Sequence, residues 1–496
     1  MPDLDITPQT GRGRDAGGRG GMARIASGRL YRDMWLSPNR PFFALSALWA
    51  VIAILVWHVG LRLGLPVPSL GTTTLWHAHE MTVGVGGAAM AAYFLTVMPS
   101  WTGARRVTGW PLIGLVALWA LARLAALLAE TLPLPLVLAP GLAFYALFTG
   151  LYLRAIVSQR RWDRWAVPAV IAFLGLADAA FVATALGALP WPGEAEMTRV
   201  LVLFFATKVS VIAGNMAPAF TAGWLAPRGR PLPRIDPLAS RIGLALMLLA
   251  FPLTLAGPTE AAAAVLIAAG AAQLWRIRRW KSLAAARYAP ALMLHLAFAW
   301  LPLGLVLTGL AALLSTPWRE ADAIHALMMG AMAGLAMSIA SRAAARREGG
   351  ALRIGPVLGG AFALIWAAAG LRLAAPLMPA AYEPLLDAAA AVWCAGWGMF
   401  LVAYMPGLRG PVANPVFNVG GHGHGKGPAI VPLAAIAPAH APTRGDACTQ
   451  GACGGGGHGH GRGGGCGGGC GCGGHGHGSD SGRGAARDPG LVLPKV

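Results

Sequence analysis

Acid is what this sequence has least of. Of its 496 residues only 20 are Asp or Glu, all charged residues together reach 12%, and 56% are hydrophobic. A soluble body of this length needs more charged surface, so that class is excluded and the bilayer is the expected solvent. Cysteine is scarce as well. Before Cys448 only Cys394 occurs, which excludes a disulfide framework in the body of the chain and leaves that thiol as packing. Long polar stretches are missing between residues 42 and 406. No small-residue cleavage site with signal-peptide spacing follows the first apolar segment, which is therefore read as a retained helix.

What remains is a series of apolar segments, each close to the roughly 20 residues that a helix needs to cross about 30 Å of hydrocarbon. They fall at 42–60, 76–98, 110–129, 134–153, 167–186, 200–221, 242–256, 261–275, 291–310, 324–339, 354–373 and 384–406. The expected fold class is all-α, a polytopic membrane bundle of about twelve helices spanning residues 41–408. The seventh and eighth segments are short and joined only by Gly257, Pro258, Thr259 and Glu260. A tilted hairpin or a re-entrant pair would fit there too.

The formal charge of +19 does not point to nucleic acid, because the basic residues occupy every second loop. Arg105 and Arg106, then Arg154, Arg160, Arg161 and Arg164, then Arg228, Arg230, Arg234 and Arg241 mark one side. Arg276, Arg278, Arg279, Lys281 and Arg287, then Arg342, Arg346, Arg347 and Arg353 continue it. Intervening loops hold little beyond Arg62 and Arg319. The arginine-rich side is expected to be cytoplasmic, and an even number of spans puts both termini there.

The ends differ in composition from the spans. Residues 1–40 combine Gly, Arg and polar residues without an apolar period and read as a disordered basic arm. Residues 409–496 read as a disordered tail with His422, His424, Cys448, Cys453, His458, His460, Cys466, Cys470, Cys472, His475 and His477. Thiolate with imidazole suits copper(I), zinc or nickel. The spacing is not that of a zinc finger, so a flexible capture or delivery arm for transition metal ions is expected, with neutral low complexity as the alternative.

The remaining histidines, His58, His77, His79, His295 and His325, all lie at or within apolar spans. A polar group at such depth needs a partner, a ligand or water. Each could simply bond a neighbouring helix; as a set they are the main functional signal. Loop order puts His58, His77, His79 and His325 near the outer surface and His295 near the inner one. On a regular helix His77 and His79 differ by about 200° and cannot both face one metal. His77 shares a face with Glu80, which could orient an imidazole or simply favour a helix amino terminus. Arg123 and Arg372 could neutralise acidic groups of a cofactor or snorkel, and Lys208 is expected to pair with Asp178. Small residues follow His79 (Gly84, Gly86, Gly87) and His325 (Gly330, Gly334), as close helix packing or a flat macrocycle would require. The second, sixth and tenth spans run in one direction four apart, which suggests three repeats of four helices.

Trp76-His77-Ala78-His79-Glu80-Met81, with Phe94-Leu95-Thr96 and Trp101-Thr102-Gly103, resembles the NnrS family. Arg40-Pro41-Phe42-Phe43, Pro218-Ala219-Phe220-Thr221, Leu294-His295-Leu296 with Trp300, and His325-Ala326-Leu327 extend the resemblance over the membrane region. It implies a bacterial inner-membrane protein that binds haem and copper, linked to nitric oxide metabolism, denitrification or nitrosative stress, with nitric oxide as a candidate ligand. His77 or His79 with His325 would then be outer axial ligands, with His295, His58, Glu80 and Arg123 as further cofactor-binding candidates. No catalytic residue stands out. Two departures matter: Ala213, Gly214 and Asn215 stand where the family has Gly-Gly-Arg, and Arg346, Arg347, Glu348 and Gly349 where it has Gly-His-Thr-Gly. A transporter with buried Asp178, Lys208 and Asn215, or a metal buffer anchored by its membrane part, are the alternative functions.

Overall fold

The structure, a computed structural model, describes residues 32–348, 351–413, 416 and 417. Most of the expected basic arm and the whole Cys and His series of the tail lie outside the described residues. Among the described residues the apolar segments form twelve helices long and apolar enough to cross a membrane. These are α1 (Asn39–Arg62), α2 (Thr73–Thr102), α3 (Trp110–Leu127), α4 (Leu134–Gln159), α5 (Trp162–Ala185), α6 (Glu194–Arg228), α7 (Pro237–Ala256), α8 (Thr259–Ile277), α9 (Ala289–Leu313), α10 (Glu320–Ala344), α11 (Pro356–Leu377) and α12 (Pro379–Leu408). The chain is a multi-pass membrane protein. Its only strands among the described residues, β1 (Arg346–Glu348) and β2 (Ala351–Arg353), form one antiparallel hairpin.

The seventh and eighth helices are long enough for full spans. At 20 and 19 residues and about 1.5 Å per residue they reach roughly 30 Å, the thickness of the hydrocarbon core. They look short in the sequence because Arg241 and Arg276 interrupt the hydropathy near their ends. Asp236 caps α7 by accepting from the Ala239 amide at 3.1 Å, and Arg276 is buried instead of ending its span in solvent.

Burial divides the helices into two classes. In α2, α6 and α10, 72–89% of the apolar window is buried, against 28–56% in the others. These three touch one another pairwise and form the centre of the bundle, while the rest pack around them with lipid-facing leucines such as Leu121, Leu176 and Leu248 exposed. The central helices all start at the end of the bundle where His58 lies, as the other even-numbered spans do, and stand four spans apart in sequence. At the opposite end lie the arginine-rich loops. The two are called here the histidine end and the arginine end.

Among the described residues three stretches are π-helical: Leu55–Val59 in α1, Glu80–Gly86 in α2 and Ala326–Ala333 in α10. A π turn holds one extra residue and re-aims the side chains around it, and such turns concentrate at functional sites. One contains His58, and the other two begin just after His79 and His325.

Local chemistry fixes where the central helices start. Thr72 caps α2, its hydroxyl accepting from the Leu75 amide at 3.1 Å. Gly71 precedes it at φ +71°, with its site for a Cβ only 2.1 Å from the Ala185 carbonyl oxygen, so only glycine fits this approach of the loop to α5. Its amide donates to Glu130 at 2.7 Å. At α10, Asp322 accepts from the Arg319 amide at 3.0 Å and closes the first turn. Residues at the expected edge of the basic arm are packed: Arg40 donates to the carbonyls of Asp33 and Gly410 at 2.6 and 2.8 Å and is buried.

Candidate functional site

At the histidine end, the first turns of α2 and α10 meet. The rings of His77 and His325 have centroids 6.4 Å apart and planes within 20° of parallel. On the far side of His77 the indole of Trp57 stacks at 4.0 Å and 18°, so one aromatic plane sets the next. Nδ1 of His325 lies 2.6 Å from the Ala321 carbonyl, which must be met by an N–H. The lone pair of this imidazole is therefore on Nε2. His77 Nδ1 is buried without a hydrogen-bond partner among the described residues. Arg372 stands near both rings but is committed to Asp322 at 2.8 Å.

His58 closes the histidine end on the side of α12. Its Nε2 lies 2.8 Å from Asp387 Oδ1, the same oxygen that accepts from Arg62 at 2.8 Å. Arg62 also reaches Glu383 at 2.5 Å. This cluster is half exposed, and exposed ion pairs contribute little to stability. Its effect is to hold α1 against α12 and, through Trp57, to set the ring of His77.

His79 faces elsewhere. Two residues on from His77, it points into α5, where its Nε2 lies 2.7 Å from Asp178 Oδ1 and its Nδ1 2.8 Å from Glu80 Oε1. Glu80 accepts in addition from Arg123 at 2.8 Å and from the Trp49 indole at 2.5 Å. Every member but Trp49 is buried, Glu80 completely. Each nitrogen-to-oxygen contact of the imidazole requires one hydrogen, so the three acid–base groups carry two between them. With the guanidinium the sum is zero charge, so four ionisable groups lie inside a membrane span without an uncompensated charge. Both ring nitrogens being engaged, His79 has no lone pair to offer. Sequence spacing puts Glu80 beside His77 on a regular helix; the π turn that starts at Glu80 swings it to His79 instead.

His295 lies at the arginine end, away from the other four. Its Nε2 is 2.8 Å from the Thr221 hydroxyl and its Nδ1 3.0 Å from that of Ser282. Thr221 donates to Ala217 O at 2.8 Å, so it accepts from His295, and Ser282 donates to the other nitrogen. This is a fully satisfied neutral imidazole joining α6 to α9. Nearby, a Cβ on Gly214 would meet Arg276 Nη2 at 2.3 Å. The guanidinium missing from α6 in the resemblance is present at this level, supplied by α8.

One expectation is corrected. Asp178 is held by His79, not Lys208; the lysine ammonium is turned to the aromatic rings, 3.9 Å over that of Phe94, and has no hydrogen-bond partner among the described residues. The small-residue faces are closely packed by side chains, the first of the two alternatives: Trp49 and Glu80 fill the space at Gly84, Phe205 that at Gly86, and Trp300 that at Gly330.

A family model described as NnrS protein matches residues 33–411. The chain belongs to the NnrS family. That span takes in all twelve helices and every histidine of the site, and membership supports a membrane protein with a function related to nitric oxide. Among curated proteins and solved structures none matches. What sequence reasoning missed is the aromatic and acidic support of the NnrS site, Trp57, Trp49 and Asp387. None carries a spacing signal: Trp49 and Trp57 come from α1 and Asp387 from α12, and which of their side chains meets a histidine or Glu80 is set by helix packing.

Proposed function

We propose that this NnrS protein is a haem- and copper-binding protein of the bacterial inner membrane, acting in nitric oxide metabolism or nitrosative-stress resistance, with His77 and His325 as the protein ligands of the haem iron. One observation carries the reading. An imidazole bound to a metal holds its ring centre roughly 3 Å from the ion, ~2.0 Å of bond plus ~1.1 Å within the ring, so two on opposite sides would stand about 6.2 Å apart. The 6.4 Å between His77 and His325, with near-parallel planes, has that spacing.

The donor set favours haem over a bare ion at this pair. Among the described residues no three His, Cys, Asp or Glu side chains come close enough to hold a metal, whereas a macrocycle brings four nitrogens of its own and asks the protein for one or two. Copper is then a matter for the tail, whose cysteines and histidines lie outside the described residues. A bound haem supplies a one-electron centre and, where a ligand yields, a site for a diatomic gas. The chain's own part is to hold the two imidazoles: the Ala321 carbonyl fixes one tautomer, Trp57 fixes the other ring plane, and the Arg372–Asp322 pair keeps a guanidinium beside both. His79, Glu80 and Arg123 support α2 from behind, and His295 braces the arginine end. By the basic-loop rule the histidine end is periplasmic and both termini cytoplasmic.

Purified full-length protein made with ample haem tests this by its visible spectrum. A Soret band that is lost or shifted in both His77→Ala and His325→Ala, and kept in His79→Gln, is the expected result. An unchanged spectrum in either alanine variant overturns the pairing, and no Soret band in the parent overturns the haem.

A further inference from the structure

One cavity is lined by none of the histidines. About 260 Å³ in volume, it opens between the first turns of α6 and α10, the α7–α8 turn and the last turns of α9. Val202, Leu203, Ala263, Leu266 and Leu327 form its apolar floor; Glu196, Arg199 and Glu320 are its charged side chains. Ile324 also lines it, so it shares α10 with His325 on an adjoining face.

The mouth has a specific chemistry. Arg199 forms a two-pronged pair with Glu320, Nε to Oε1 and Nη2 to Oε2, both at 2.6 Å. Its third nitrogen, Nη1, is left with only Glu196 Oε1 at 3.8 Å, beyond a good hydrogen bond. Two carboxylates and one guanidinium leave one surplus negative charge. An unfilled donor and an unfilled acceptor therefore stand side by side at the top of an apolar cavity. A phosphate head is acceptor-only and anionic, and is repelled; an ammonium is donor-only. A neutral hydroxyl, donor and acceptor at once, meets both. The cavity has room for one substituted aromatic ring.

We propose that this cavity binds the head of an isoprenoid hydroquinone, its ring against the apolar floor and one hydroxyl between Arg199 and Glu196. The proposal concerns binding alone and does not depend on what His77 and His325 hold. The test is equilibrium binding of a short-chain dimethoxy-methyl hydroquinone, kept reduced, to the full-length protein in phosphatidylcholine nanodiscs. Parallel arms use the matching quinone, whose oxygens only accept, and a diacylglycerol as a hydroxylated lipid competitor.

Saturable binding that weakens about tenfold or more in Ala263→Phe, which fills the floor, and in Glu196→Gln, which removes the acceptor charge, is expected, with the quinone binding less tightly than the hydroquinone. Ala312→Phe at the exposed rim fills the same cavity from α9 and decides the matter if Ala263→Phe does not fold. Undiminished binding in the filled variants, no saturable binding in the parent, or equal competition by diacylglycerol overturns the proposal.

Discussion

Replacing Arg123 by Met isolates the energetics of the buried cluster. In the parent, Glu80 and Asp178 contribute two negative charges, Arg123 one positive, and the doubly bonded His79 brings the sum to zero. Met fills similar volume on α3 but leaves one uncompensated charge at Glu80, which has no exposure to water. Removing one partner of a buried pair costs about 3–5 kcal/mol, and the remaining Trp49 and His79 donors hold the loss to the lower part of that range. Changing Glu80 to Gln in the same chain removes the stranded charge, so the double variant recovers most of the loss. Reversible unfolding in mixed micelles, followed by tryptophan fluorescence, measures each corner of the cycle. A loss below about 1 kcal/mol for Arg123→Met, or additivity in the double variant, refutes the argument that these groups stand in the membrane as one neutral unit.

Other outcomes follow from single contacts. Gly84→Ala places a methyl 2.9 Å from both Glu80 Oε2 and the Trp49 ring, and is expected to cost about 1–3 kcal/mol in the same unfolding assay; a neutral result means the Trp49 to Glu80 bond is not held. Lys208→Met removes an amine with no hydrogen-bond partner among the described residues and is expected to be neutral or stabilising by up to about 1 kcal/mol, whereas a loss above about 2 kcal/mol would show an anionic partner. Deleting residues 420–496 is expected to lower bound copper or zinc, read by elemental analysis, while leaving the Soret band in place; loss of the band would assign the haem to the tail.

The fold was largely legible because its physics is that of segment length. Twelve apolar runs and the alternation of arginine-rich loops follow from hydrocarbon thickness, and only near Arg241 and Arg276 did a buried or terminal charge shorten a span in the sequence. The site was legible by residue type but not by pairing. That histidines gather at one end follows from loop order, yet which of His77 and His79 faces His325 depends on π turns, and no pattern of residues marks where an extra residue enters a helix. Lys208 shows the same limit from another side: depth is readable from position, but direction around the helix is set by neighbours such as Phe94 that lie far away in sequence.

The π turns have one more consequence. Each carries one residue more than an α turn, so in α2 and α10 the length of chain between the two ends of the helix is not tied to the length of the helix. Loss of a single residue from Glu80–Gly86 or Ala326–Ala333 would let the stretch relax to α geometry, giving up the extra residue while the helix on either side keeps its register. A deletion that turns one end of an ordinary buried helix by about 100° relative to the other would here be absorbed within the turn. These two helices can thus lose a residue, in evolution or by design, without repacking the arginine end on which they stand.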